Sequence, residues 1–166
     1  MNNKNRLRRT MMFLNAQKPN LLKDPYIYAP DSLIFDLEDA VALGEKDAAR
    51  FVLAHALKSV NYQNCEKVVR INGIDTPFWK EDIRCAVFAG CDSIRIPKTE
   101  SAEDVKAVEA EVIKAEQEAG VEEGHTLLMA AIESAKGVIN LKEICTASSR
   151  LFGVALSAGD YTKDLH

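Results

Sequence analysis

Short apolar segments alternate with longer amphipathic segments along the chain, and this alternation limits the folds that the chain can adopt. The apolar segments are nearly continuous in hydrophobic residues, which is typical of parallel strands covered on both faces. They are Met11–Leu14, Leu33–Leu37, Lys67–Asn72, Ser93–Pro97, Leu127–Ile132 and Leu151–Leu156. Helices are predicted over Glu45–Lys58, Pro77–Ala89, Ala102–Ala119 and Lys136–Ser148. Repeated strand–helix units predict an α/β fold with right-handed crossovers and a parallel sheet.

The predicted helix over Ala102–Ala119 carries the clearest boundary signals. Ser101 can cap its N-terminus, and Glu103 and Asp104 place negative charge in the first turn, where the helix dipole favours it. Gly120 supplies a stop. Its apolar face is predicted to consist of Val105, Val108, Val112 and Ile113.

Two architectures fit six strand–helix units. An open doubly wound sheet usually binds its ligand through a glycine-rich first turn, and neither GxGxxG nor GxxxxGK[ST] occurs in this chain. Charged residues instead follow several strands, as expected at the carboxyl-terminal face of a (β/α)8 barrel. We therefore predict an α/β TIM-type (β/α)8 barrel, truncated to about six strands, in a single domain over residues 1–166.

The length makes that predicted barrel incomplete. Such barrels typically need about 250 residues, and about 200 at the low end, whereas this chain has 166. The sequence is therefore expected to be an N-terminal fragment of a longer chain or a truncated barrel. The last strand would then present an open edge, which favours association with another chain.

Composition excludes several classes of partner. The chain has 21 Lys and Arg against 25 Asp and Glu, a net charge of −4, so it has no general attraction for phosphate backbones. No apolar run reaches the roughly 18–20 residues that cross a bilayer. We expect a cytoplasmic protein that binds neither nucleic acid nor membrane. Without CxxC spacing, buried free thiols are expected at Cys65, Cys85, Cys91 and Cys145.

Two acids lie at or just beyond the ends of consecutive predicted strands. Glu133 directly follows LLMAAI, and Asp160 lies shortly after LFGVAL. Two converging carboxylates, with water completing the coordination, suit an octahedral Mg²⁺ site. The alternative is structural, with Glu133 capping the next helix and Asp160 beginning a turn.

Arg70 interrupts KVVRIN, where a parallel strand should be apolar. A buried guanidinium needs a carboxylate partner, because burial of an unpaired charge is costly. That partner is either internal, from Asp36, Glu38 or Asp39, or a bound acid that the planar fork recognises. Lys98 is equally compatible with an anion contact and with a structural ion pair.

FDLEDAV places three acids at the end of the second strand. In an extended strand, Asp36 and Glu38 share one face while Asp39 points to the other. These acids can pair with Arg70, Arg95 or Lys98, or support the ligands of a metal. The spacing leaves these roles open.

Six segments together resemble one known family. In order they are LRRTMMFL, DSLIFDLEDAVALGEKDAAR, VVRINGIDT, DSIRIPKTES, LLMAAIESAKGVINLKEI and SRLFGVALSAGDYTKDL. They closely resemble the HpcH/HpaI aldolase superfamily, within it the citrate lyase beta subunits and their citramalyl-CoA and malyl-CoA lyase relatives. The resemblance begins at Leu7 and covers only the N-terminal two-thirds of the family's chains.

The resemblance implies a (β/α)8 barrel that cleaves a citryl thioester to oxaloacetate and an acetyl thioester. It implies a Mg²⁺ held by Glu133 and Asp160, with Arg70 and Glu133 contacting substrate. Possible supporting residues around the metal are Asp36, Glu38, Asp39 and Lys98. It also implies a homo-oligomer whose partners are a citrate lyase alpha subunit and an acyl carrier protein with a CoA-derived group. No residue stands out as the general base.

Two positions depart from the family pattern. The first strand continues as Phe13, Leu14, Asn15 and Ala16 where the family usually has Phe-x-Pro-Gly, and Gly159 stands where it usually has Glu. Two alternative functions therefore stay open. One is a non-catalytic, truncated remnant that acts as an oligomeric or interaction subunit. The other is cleavage of malyl-CoA or citramalyl-CoA.

Overall fold

The computed structural model of the chain describes residues 4–166, and its centre is one six-stranded sheet. Each strand pairs in parallel with the next strand along the chain, so the order is β1-β2-β3-β4-β5-β6. The strands are β1 Met11–Asn15, β2 Ser32–Asp36, β3 Glu66–Arg70, β4 Ser93–Ile96, β5 Leu127–Ile132 and β6 Leu151–Leu156. All six strands predicted from the sequence are thus confirmed within a few residues.

The helices connect these strands and pack beside one another. They are α1 Pro19–Leu22, α2 Lys46–Ser59, α3 Trp79–Phe88, α4 Ala102–Ala119, α5 Ala135–Ile139, α6 Leu141–Cys145 and α7 Ala158–Asp164, with 3₁₀ turns at Pro25–Tyr28 and Leu43–Glu45. Contacts run from α2 to α3, from α3 to α4 and from α4 to α6. Successive crossovers therefore lie on one face of the sheet, as in a barrel, and the doubly wound alternative is not what the chain adopts.

The two faces of the sheet differ in chemistry. Leu33 and Phe35 of β2 pack in the hydrophobic core with Leu53 of α2. Asp36 alternates with them and so points to the opposite face, where it pairs with Arg70 of β3. The helix-covered face is therefore apolar, while the concave face carries paired charges.

The sheet curves enough for a side chain that precedes its first strand to reach its sixth strand. Arg8, which precedes β1, lies 3.8 Å from the ring centroid of Phe152 in β6. The same guanidinium donates to Glu66 at the start of β3, with Nε–Oε2 at 2.7 Å. One side chain thus contacts strands from the middle and the far end of the sheet, which a flat sheet would not allow.

Helix α4 matches its prediction in detail. The Ser101 hydroxyl accepts the backbone N–H of Asp104, and the Asp104 carboxylate accepts the N–H of Ser101 in return. Gly120 ends the helix at φ 66°, a left-handed conformation that favours glycine. Strong local caps thus fixed both ends of this helix.

Two helix predictions are wrong in their boundaries. The helix predicted over Lys136–Ser148 is divided into α5 and α6 at Asn140, whose side chain donates to the carbonyl of Glu100 at 2.9 Å. Pro77 does not begin α3, because a turn closed by Thr76 onto the carbonyl of Gly73 precedes it. Hydrophobic periodicity in the sequence could not predict the hydrogen bond from Asn140 to Glu100 or the one from Thr76 to Gly73.

The cysteines only partly fulfil their prediction. Cys65 and Cys91 are buried free thiols, Cys85 is half-buried, and Cys145 is exposed. The prediction that Cys145 is buried is therefore wrong, because the short α6 buries Ile144 and leaves its last residue, Cys145, exposed.

The outer strands are less buried than the inner strands. Every residue of β5 is buried, whereas most of β6 is half-buried, and Leu156 at its end is 58% exposed. This agrees with the open edge expected from the sequence. Within residues 4–166, no helix is both long and apolar enough to cross a membrane.

Candidate active site

A cavity of about 580 Å³ lies at the carboxyl-terminal ends of β3, β4, β5 and β6. Its lining residues lie in the loops and helices that follow these strands, as expected where parallel strands end at one face of a barrel. They are Gly73, Ile74, Asp75, Pro97, Lys98, Glu100, Asp104, Glu133, Ser134, Asp160, Lys163 and Asp164. The sequence-predicted acids Glu133 and Asp160 thus share one cavity.

Glu133 places a buried carboxylate at the end of β5. Its side chain belongs to a residue only 5% exposed, and neither carboxylate oxygen makes a well-formed hydrogen bond within residues 4–166. Burial, and then the nearby charge of Glu38, raise the pKa of Glu133, although the backbone N–H of Lys98 opposes this. Ser134, and not Glu133, caps α5 by accepting the N–H of Gly137.

Asp160 lies in the first turn of α7 and is held in its ionised form. Lys163 Nζ contacts Oδ1 at 3.1 Å, and the Ser157 hydroxyl donates to Oδ2 at 3.1 Å. These hydrogen bonds, that from Lys163 first, lower the pKa of Asp160. Asp160 also contributes to the electrostatic field at Glu133. Both acids therefore line the same cavity and add negative charge to it.

The donor set fits a hard divalent cation. No group of three or more His, Cys, Asp or Glu side chains in the described part of the chain is placed to hold a metal. Mg²⁺, however, commonly takes only one or two protein carboxylates and completes its shell with water and substrate. The two unsatisfied oxygens of Glu133, opposite the ionised Asp160, provide such a pair.

Arg70 has internal carboxylate partners. Its Nε and Nη2 each donate to Asp36 at 2.7 Å, and its Nη1 lies 2.9 Å from Glu38. The more distant Asp39 is 3.9 Å away and 60% exposed. Of the two sequence alternatives, the structure therefore contains the internal ion pair. It fixes the guanidinium at the carboxyl end of β3.

Lys98 joins the same acidic cluster from β4. Its Nζ lies 2.8 Å from Glu38, and its backbone adopts a left-handed φ of 47°. Such a conformation is strained for a side chain other than glycine or asparagine, and it occurs at the lip of the cavity. Of the two alternatives left open for Lys98, the structure contains the ion pair.

Sequence reasoning missed several features of this site. Lys163 was not predicted as a partner of Asp160, because α7 was not predicted as a helix. Had it been, the three-residue spacing of Asp160 and Lys163 would have indicated an ion pair on one helix face. Arg95 was considered only as a partner for the acids after β2. It forms no ion pair with any of them within residues 4–166, and its Nε is buried without a hydrogen bond.

Comparison with known proteins agrees with the resemblance inferred from the motifs. The family model described as HpcH/HpaI aldolase/citrate lyase matches residues 9–166. The citrate lyase subunit beta of Leuconostoc mesenteroides subsp. cremoris is 54% identical over 165 residues, covering 99% of this chain and 54% of that protein. A (3S)-malyl-CoA thioesterase of Cereibacter sphaeroides is 36% identical over 157 residues, covering 95% and 51%. The chain spans about half the length of these curated relatives.

A solved structure gives the same result. The citrate lyase beta subunit from M. tuberculosis, complexed with oxaloacetate and magnesium, superposes with a TM-score of 0.72 at 27% identity. The match covers 95% of this chain and 63% of that one. Since the family model spans all six strands and the cavity that they open into, the chain belongs to the HpcH/HpaI aldolase/citrate lyase family.

Proposed function

We propose that this chain acts in a carbon–carbon lyase that cleaves a citryl thioester into oxaloacetate and an acetyl thioester. The observation that carries the proposal is the buried, unsatisfied carboxylate of Glu133 in the cavity that Asp160 also lines. Support also comes from the 54% identical relative named citrate lyase subunit beta. The related structure from M. tuberculosis holds oxaloacetate and magnesium.

In this proposal, Glu133 and Asp160 hold a Mg²⁺ ion. When bound, the ion would supply a Lewis acid for the oxygen of a 2-hydroxy or 2-oxo acid. Lys163 and Ser157 keep Asp160 ionised, so that it is ready to bind a cation. Burial of Glu133 strengthens its interaction with any cation, since the cavity wall replaces water around it.

Arg70 is the proposed anchor for a substrate carboxylate. Asp36 holds two of its nitrogens, so the guanidinium has one orientation before substrate arrives. Lys98, fixed by Glu38 at the lip of the cavity, adds positive potential where an anion enters. No side chain in the described residues is assigned as the base that takes the hydroxyl proton.

We infer the partners from the same resemblance. The thioester would be presented on an acyl carrier protein or on CoA, with a citrate lyase alpha subunit loading the citryl group, and the chain would work as a homo-oligomer. A malyl-CoA substrate is the second candidate, favoured by the 36% identical relative named (3S)-malyl-CoA thioesterase.

Calorimetric titration with oxaloacetate tests the metal site. The chain is expected to bind oxaloacetate in the presence of Mg²⁺ and to lose that binding when EDTA removes the metal. Glu133→Gln should weaken metal-dependent binding by more than about tenfold, because an amide is a poorer ligand for Mg²⁺ than a carboxylate. Without metal this variant should be at least as stable as the parent, since it removes a buried charge.

Glu143→Gln is the matched control, because Glu143 is an exposed acid of α6 away from the cavity. This control should bind oxaloacetate as the parent does. If a folded parent chain shows no metal-dependent binding, the remnant function, an oligomeric or interaction subunit without catalysis, replaces the proposal. Full binding by Glu133→Gln would contradict the assigned ligand.

A further inference from the structure

Two arginines from neighbouring strands lie side by side on the concave face of the sheet, but only one is neutralised. Arg70 of β3 and Arg95 of β4 are register partners, and their guanidinium carbons lie 5.2 and 5.4 Å from the ring centroid of Phe13. Arg70 pairs with Asp36 and Glu38. Arg70 therefore has carboxylate partners, whereas the neighbouring Arg95 has a buried nitrogen without a hydrogen-bond partner.

Arg95 lacks a carboxylate partner within residues 4–166. Its one hydrogen bond found there is from Nη1 to the sulfur of Met129 at 3.8 Å, and a thioether is a weak acceptor. Its Nε is buried without any acceptor, although the residue is only 7% exposed. A buried guanidinium in this state is unfavourable for folding alone.

The neighbouring charges make that cost larger. Burial, and next the positive charge of Arg70, lower the pKa of Arg95. Glu133, Asp36 and Glu38 oppose this shift through their charges, but none of them comes within ion-pair distance of Arg95. An anion that entered the site would therefore find a cation with free donors.

Arg95 lies on the same side of the sheet as a residue that lines the cavity of Glu133 and Asp160. It precedes Pro97 by two residues, so along an extended strand both point to the same side. Pro97 lines the cavity, as does Glu133, whose charge acts on Arg95. The guanidinium thus lies on the cavity side of β4, within the electrostatic reach of Glu133.

We propose that Arg95 binds the second free carboxylate of a dicarboxylic substrate and so selects citryl over malyl thioesters. This inference rests on the proposed lyase function. A citryl thioester carries two free carboxylates, and oxaloacetate retains both, whereas a malyl thioester carries one. The carboxylate beside the hydroxyl is assigned to the metal and Arg70, so the additional one needs its own cation. A planar fork with free donors provides bidentate recognition for it.

The test compares binding of oxaloacetate with binding of pyruvate, a 2-oxo acid with one carboxylate. Both are titrated calorimetrically into the chain with Mg²⁺. Arg95→Met should weaken oxaloacetate binding by about tenfold or more, as expected for a lost charged hydrogen bond, and leave pyruvate binding within about twofold. Arg95→Lys keeps the charge without the fork and should fall between parent and Arg95→Met for oxaloacetate.

Arg84→Met is the control, because Arg84 forms an exposed pair with Glu118 and should affect neither ligand. Thermal unfolding checks that each variant is folded, and if Arg95→Met does not fold, the comparison rests on Arg95→Lys. Unchanged oxaloacetate binding, or equal weakening of both ligands, would overturn the role of Arg95 while the metal site stands. A folded parent that binds neither ligand would overturn the proposed function and this inference together.

Discussion

Individual buried charges in this chain differ in whether the protein itself neutralises them. Glu116 accepts from Arg150 with distances of 2.8 and 2.9 Å and also accepts the backbone N–H of Thr126. Glu133 and Arg95 have no such partners within residues 4–166. A buried charge with hydrogen-bonded partners inside the protein is compensated, whereas a buried charge without them lowers the free energy of unfolding. Glu133 lines the cavity and Arg95 lies on the same side of the sheet, which is why we assign both charges to ligands.

A third buried group predicts how stability changes in alkali. Tyr62 is buried, donates its hydroxyl to the carbonyl of Leu22 at 2.8 Å, and burial raises its pKa from 10.0 to about 12. The folded state thus holds the phenolic proton more tightly than the unfolded state does. Its contribution is complete below pH 10 and is lost as the pH rises towards about 12.

Urea unfolding between pH 8 and pH 11 measures this effect. Tyr62→Phe should be less stable than the parent at pH 8 by about 1 kcal/mol, the usual value of one hydrogen bond. The difference should shrink as the pH rises above 10, because the phenylalanine cannot titrate. Cys85 and Cys91 titrate in both proteins and cancel in the comparison. Parallel stability curves would contradict the prediction.

The sequence predicted which charged residues gather at the carboxyl-terminal ends of the strands better than it predicted their ion-pair partners. The need for a carboxylate near Arg70 follows from one charge in an apolar strand, and the structure supplies it from Asp36. Whether Arg70 pairs with an internal acid or with a bound acid depends on whether its side chain reaches the acids of the neighbouring strand, and the sequence does not show that distance. For the same reason, nothing in the local sequence showed that Arg95 would lack an ionic partner.

Helices in this fold divide into those fixed by local signals and those fixed by contacts. Helix α4 was predicted at both ends, because its capping box and its glycine stop lie in the sequence itself. Helices α5 and α6 were not separated, because their boundary at Asn140 depends on a hydrogen bond to Glu100, forty residues away. Sequence periodicity therefore works where an element carries its own caps.

Gly137 of α5 offers a test at the scale of the element. A Cβ atom there would lie 2.7 Å from the carbonyl oxygen of Thr99 and 3.2 Å from Ile132. Since a backbone carbonyl cannot move aside cheaply, Gly137→Ala should lower the free energy of unfolding by about 1–3 kcal/mol. Denaturant unfolding provides the measurement.

Gly159 is the matched control, a helical glycine of α7 with no atom within 4 Å of an added Cβ. Gly159→Ala should leave stability unchanged or raise it by up to about 1 kcal/mol, because alanine is the better helix former. Equal effects at the two positions would show that α5 does not approach Thr99 so closely.

For the whole molecule, the sequence predicted six strands of a parallel barrel, and that architecture implies the sequential strand order that the structure shows. Each strand pairs only with its neighbour in sequence, and hydrophobic periodicity carries no information about such pairing. The absence of a glycine-rich turn argued against a doubly wound sheet, and so supported the barrel only by removing its alternative. The contacts of Arg8, which show the curvature of the sheet, join residues far apart in the sequence and could not be predicted from it.

The buried Arg8 pair should stabilise the sheet as a whole. Its side chain is 9% exposed and that of its partner Glu66 only 1%. Arg8→Met would leave the Glu66 carboxylate buried with the Ser32 hydroxyl, and should destabilise the chain by about 3–5 kcal/mol. Thermal and urea unfolding report this loss.

Arg9 is the neighbouring control, because its side chain is 72% exposed in its pair with Asp31. Arg9→Met should cost less than about 1 kcal/mol, the usual value of an exposed ion pair. If both variants lost the same stability, the contact of Arg8 with Phe152 and Glu66 would not be holding the curved sheet.

The sequential strand order also bears on how the chain reaches its folded state. Every strand after β1 pairs with the one made just before it, so the sheet can grow in the direction of synthesis, each new strand arriving after its own helical crossover. The stacking of Arg8 on Phe152 is different, because it joins the first strand region to the last. We therefore expect this contact to form only after β6 has left the ribosome.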